Sequence, residues 1–151
     1  MGLNPGRKRR NLVDMSSIPG SFEYVVSEEA IEGLNYPVSL GGGNTLQVRT
    51  MERGHKIVDF SLNQFVEPEY EGNLSGENVD VARIDCCHSE VHRHQYYRNG
   101  RPQNRYVIHD LKCEESHENA EDVVDRCYTD CYLVMTDNWE SHLERWENGS
   151  V

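Results

Sequence analysis

From Thr45 onward the chain alternates apolar and polar residues. The stretches Thr45 to Met51 and His55 to Glu67 keep a period of two, the mark of half-buried strands. Glu52, Arg53 and Gly54 join them as a tight hairpin with glycine in the turn. In the second stretch Val58, Phe60 and Leu62 form the apolar row, expected to point inward, against Ile57, Asp59, Ser61, Asn63 and Phe65 on the other side. A polar loop, Pro68 to Asn78, leads to a third strand near 79–86 and a fourth at about 90–97. After the loop RNGRPQN, a fifth strand, RYVIHDL, occupies 105–111. Sequential strands with short connections predict an antiparallel meander.

The period then changes. Ala120, Val123, Val124, Cys127, Cys131 and Val134 recur at i, i+3, i+4 and i+7, predicting a long helix with one apolar face. Glu118, Glu121 and Asp122 fall in its first turn, where the helix dipole favours acid. Asp137 and Glu140 have the spacing of a capping box for a second short helix, whose stripe is Trp139, Leu143 and Trp146. The fold expected is therefore α+β: a five-stranded, mainly antiparallel sheet with a long C-terminal helix packed on one face.

The first 44 residues lack such periodicity. Residues 1–20 combine Gly, Pro and Ser with the basic cluster Arg7, Lys8, Arg9 and Arg10 and read as an arm. The segment SEEAIEGL allows a short helix beginning near Ser27, and the run Gly41 to Asn44 marks the expected boundary between an arm of 1–44 and a single domain of 45–151.

Composition narrows the partners. Twenty-six acidic residues against 15 basic ones give the 151-residue chain a net charge of -11, unfavourable for non-specific attraction to nucleic acid or anionic lipid, although a nucleic acid is not excluded as a substrate. Only Lys8, Lys56 and Lys112 are lysines, and this acidic, lysine-poor balance suggests a halophilic source. Five cysteines without a spaced framework favour free thiols, and the sequons at Asn73 and Asn148 are chance matches. No apolar run reaches the roughly 18 residues that cross a bilayer, and no apolar segment follows the basic cluster as in a secretory signal, so a cytoplasmic protein is expected.

The chemistry concentrates in RIDCCHSEVHRHQYY, residues 83–97. If His88 and Ser89 form the turn of a hairpin, Cys86 falls opposite Val91, Asp85 opposite His92, Ile84 opposite Arg93 and Arg83 opposite His94. One face then carries Ala82, Ile84, Cys86 and Val91. The other carries Arg83, Asp85, His92, His94 and Tyr96, with Cys87 and Glu90 at its end. Three readings of that face stay open. His92 and His94 share a divalent metal such as zinc, with His88, Asp85 or Cys87 as third ligand. Alternatively, His92 or His94 is a general acid or base oriented by Asp85, with Arg83 stabilising an anionic transition state. In the third reading, the face is structural or binds a protein partner. Elsewhere, Cys127 and Cys131 lie on the helix face to be buried, and Gly41 to Gly43 lack the setting of a phosphate loop. His109 joins the cluster only if the fifth strand pairs in the right register, and Tyr96, Tyr97 and Tyr106 are the aromatics available for stacking on bases.

Arg83, Asp85 and His88 spell an RxDxxH element, and His92 and His94 an HxH. With the strand and helix that follow, roughly residues 45–135, they resemble an uncharacterised family of short acidic haloarchaeal and actinobacterial proteins and, more distantly, the TumE-like toxins of toxin-antitoxin modules. The resemblance implies a small α+β domain with a helix-turn-helix antitoxin as partner.

Overall fold

The computed structural model describes residues 23–149. Six strands, β1 (Ile31–Gly41), β2 (Asn44–Arg53), β3 (Lys56–Val66), β4 (Val79–Cys87), β5 (Glu90–Tyr96) and β6 (Pro102–Asp110), pair in sequence order, each antiparallel to the next. A 3-10 turn (Leu111–Cys113) leads into α1 (His117–Asp137), and α2 (Trp139–Asn148) follows. The α+β meander is as the alternation predicts. Its inner row on β3, Val58, Phe60 and Leu62, is buried, together with Leu46 and Val48 of β2, Ile84 of β4 and Val91 of β5. Against this row pack Ala120, Val123, Val124, Cys131 and Met135 of α1 and Trp146 of α2, burying one face of β2 to β5 beneath one layer of helices while β1 and β6 stay largely exposed. Cys127 and Val134 flank that stripe half-buried, and Cys86 faces the same core as expected.

The sixth strand is the main departure. Ser27 does start a turn, its carbonyl accepting from the Ala30 N–H at 3.1 Å and its hydroxyl from the Glu29 N–H at 3.1 Å, but the helix expected there does not continue. One turn of helix is not self-sustaining, and Gly33 and Pro37 are poor propagators, while pairing with β2 from Ile31 onward satisfies the backbone groups that face it. Gly42 and Gly43 form the two-residue turn of that hairpin with φ of 56° and 81°, a left-handed pair that glycine adopts without strain. The glycine run therefore joins β1 to β2 instead of separating an arm from the sheet. The basic cluster of the expected arm lies outside the described residues.

Two helix-end expectations also change. Ser116 caps α1, accepting from the Asn119 N–H at 3.1 Å. Because α1 runs on through Asp137, the capping box of Asp137 and Glu140 does not form; Asn138 ends one helix and begins the next without a side-chain hydrogen bond. Of the three acids expected in the first turn only Glu118 lies there, because α1 begins at His117; Glu121 is fully buried and receives the Arg53 guanidinium, whose Nε donates at 3.0 Å. No helix among the described residues is long and apolar enough to cross a membrane.

Candidate functional site

His88 and Ser89 form the β4–β5 turn, both left-handed, with φ of 55° and 59°. Neither residue favours that region, which costs a side-chain-bearing residue about 1–2 kcal/mol. The surroundings hold Ser89 in place: its hydroxyl accepts from the Tyr24 N–H at 2.8 Å and its carbonyl from the Leu111 N–H at 2.9 Å. The two-residue turn fixes the register, pairing Cys86 with Val91, Asp85 with His92, Ile84 with Arg93 and Arg83 with His94, as the even turn length predicts. Arg83, Asp85, His92 and His94 consequently share the sheet face that the helices leave open.

Asp85 lies at the centre. Its Oδ2 is 2.9 Å from Arg83 Nε, and its Oδ1 is 2.9 Å from His92 Nε2. These short approaches are not aligned as hydrogen bonds: Arg83 Nε, Asp85 Oδ1 and His92 Nδ1 are buried without a hydrogen-bond partner among the described residues. The His94 ring meets His92 edge-on, centroids 4.5 Å apart, and Tyr96 extends the row at 6.1 Å from His94 with its ring nearly parallel. The Arg83 guanidinium lies 5.8 Å from the Tyr96 ring centre. One ligand atom each from Asp85, His92 and His94 lie within 4.8 Å of one another.

Burial holds both imidazoles below their ordinary pKa. For His92 it outweighs the opposing pull of Asp85; for His94 it is reinforced by neighbouring His92. Both rings are therefore neutral at neutral pH, the form with a free lone pair. Glu90, also buried, presents Oε1 3.6 Å from His92 Nδ1, while Arg105 donates to the same oxygen at 2.7 Å and Lys112 stands 3.5 Å from Oε2.

Of the three third ligands the sequence allows, Asp85 is the one grouped with His92 and His94. His88 is exposed at the turn, and Cys87 is exposed at the end of β4. His109 stays apart, 2.8 Å from Glu114, and Tyr106 lies beside Arg93 with the guanidinium 4.6 Å from its ring centre. Several contributors come from strands whose register the long β3–β4 loop conceals. Ser61 stands opposite Asp85, Asn63 opposite Arg83 and Arg49 opposite Ser61. Beside them a cavity of about 300 Å³ is lined by Glu32, Arg49, Met51, Asp59 and Ser61 among others. The alternation along β3 does place Asp59 and Ser61 on this face, the only sequence signal for them. Asp59 is raised to about 6, first by burial and then by the charge of Asp85, with Arg49 pulling it down.

No curated protein and no solved structure matches the chain significantly. A family model matches from the first strand of the sheet to the end of the second helix, residues 30–150, and the chain belongs to that family, described as a domain of unknown function (DUF7718).

Proposed function

We propose that Asp85, His92 and His94 form a divalent-metal centre, and that the protein is a metal-dependent hydrolase acting on an anionic ester of the phosphoryl type. The observation that carries the reading is the 2.9 Å approach of Asp85 Oδ1 to His92 Nε2 without hydrogen-bond alignment. Two donors each about 2.1 Å from one ion and at right angles lie about 3 Å apart, so this spacing suits neighbouring ligands. Three protein ligands leave positions for water and for a substrate oxygen, and a bound divalent ion brings that water toward ionisation at neutral pH. Arg83, on the rim of the set, has an Nε with no aligned partner and supplies charge for an anionic group. Glu90 faces the far nitrogen of His92, the position from which a carboxylate fixes a ligating ring.

Metal analysis of untagged protein tests the reading. About one equivalent of zinc, manganese or iron is expected, lost in His94→Ala and Asp85→Ala. Protein that stays metal-free when dialysed against each ion, yet co-purifies with a partner released by Arg83→Ala, would instead support a partner-binding face. A toxin role of the TumE-like kind, with a helix-turn-helix antitoxin, rests only on Arg83, Asp85, His88, His92 and His94, and the family match adds nothing to it. It requires that induced expression arrest growth and that His94→Ala relieve the arrest.

A further inference from the structure

Asp59 is a half-buried carboxylate of the open face that neither joins the donor set nor forms an ion pair among the described residues. It lines the cavity of about 300 Å³ with Arg49, Met51 and Ser61. Ser61 is paired directly with Asp85, so the cavity begins about one strand spacing, roughly 4.8 Å, from the donor set. Asp59 stands two residues from Ser61, and alternate residues of a strand share a face. A phosphoryl group held at Asp85, His92, His94 and Arg83 would therefore direct its ester substituent either toward this cavity or away into solvent.

We propose that the cavity is the leaving-group subsite and that Asp59 protonates the departing oxygen. This rests on the hydrolase reading and names its substrate class: a phosphomonoester of a small alcohol bearing polar substituents, sized to the cavity, with Met51 as the apolar wall and Arg49 and Glu32 at the polar rim. In the step, the water oxygen bonds to phosphorus, the bond from phosphorus to the alcohol oxygen breaks, and the Asp59 carboxyl proton moves to that oxygen. The proton shed by the attacking water passes to solvent, from which Asp59 is reprotonated. The products are the alcohol and inorganic phosphate. Burial is the foremost cause of the raised Asp59 pKa and the charge of Asp85 the second, so this carboxyl keeps its proton to higher pH than a solvent-exposed aspartate.

The test compares p-nitrophenyl phosphate, whose leaving group needs no proton, with glycerol phosphate, whose leaving group does, on the metal-loaded full chain. Asp59→Asn should lower kcat on glycerol phosphate at least about tenfold more than on the aryl ester, with metal content unchanged. Equal losses on both substrates, no loss on either, or loss of the metal would overturn the assignment of Asp59 while leaving the metal centre standing. No turnover of either ester by loaded wild-type protein would overturn the hydrolase reading and this inference with it. If Asp59→Asn does not fold, Met51→Trp reads the subsite: KM for p-nitrophenyl phosphate should rise at least about fivefold more than KM for methyl phosphate, and equal changes overturn the subsite.

Discussion

His142 should make the fold acid-sensitive by a calculable amount. It is fully buried where α2 meets the sheet; its Nδ1 lies 3.1 Å from Gln64 Oε1 and its Nε2 lies 3.4 Å from Arg93 Nη1. The Gln64 amide nitrogen donates to Asn44 Oδ1 and to the Trp139 carbonyl, so its oxygen is the acceptor and His142 carries its proton on Nδ1. A second proton would place an N–H against a guanidinium. Burial, then Arg93 and Arg145, lower the pKa from 6.5 to about 4. Between those values the unfolded chain binds a proton that the folded one refuses. The contribution is thus complete above about pH 6.5 and is lost as pH falls toward 4, at about 1.4 kcal/mol for each pH unit of displacement. The full displacement is worth roughly 3 kcal/mol, of which about 2.5 is gone by about pH 4.5. Asp59, raised in the fold, changes stability in the opposite sense over part of this range, so the measurement must be a difference. Urea unfolding at about pH 7 and pH 4.5 should show wild type losing roughly 2–3 kcal/mol more than His142→Gln. Parallel losses would refute the reasoning.

Three further perturbations probe the site and the core. Glu90→Gln should weaken metal binding about 10–100-fold by titration calorimetry, because the group facing His92 Nδ1 loses its charge; unchanged affinity would reduce Glu90 to a partner of Arg105. Leu62→Ala, at a fully buried position on β3, should cost about 2–5 kcal/mol in urea unfolding, and a cost under about 1 would contradict its place in the core. His88→Gly should raise stability by up to about 1 kcal/mol, since glycine adopts the left-handed turn freely and the exposed imidazole contributes little; a clear loss would show that the ring makes a contact.

The sequence made local geometry legible and concealed what depends on distant closure. Two-residue alternation identified five strands and the inner face of β3, and an even turn length sufficed to pair Asp85 with His92 and Arg83 with His94. β1 escaped because its polar residues face solvent along an edge and its opening, Ser27 to Ala30, does form a turn; only the pairing with β2 decides for strand. Asp59, Ser61 and Arg49 were visible as residues but not as neighbours of Asp85, since a loop from Pro68 to Asn78 leaves the β3–β4 register uncounted. Glu121 misled for a related reason. The helix begins at His117, so Glu121 lies past the first turn, and its burial follows from Arg53, 68 positions away.

The clamp on Ser89 bears on when the site comes into being. A His-Ser turn in left-handed geometry does not nucleate a hairpin as Asn-Gly does, so the segment that bears the histidines has little reason to close alone. Its shape is set by Tyr24, 65 residues upstream, and by Leu111, which follows the last strand. The ligand geometry should therefore mature late in folding, after the sheet is assembled and the N-terminal segment has docked. An excised peptide of residues 79–97 would carry Asp85, His92 and His94 and yet remain unstructured.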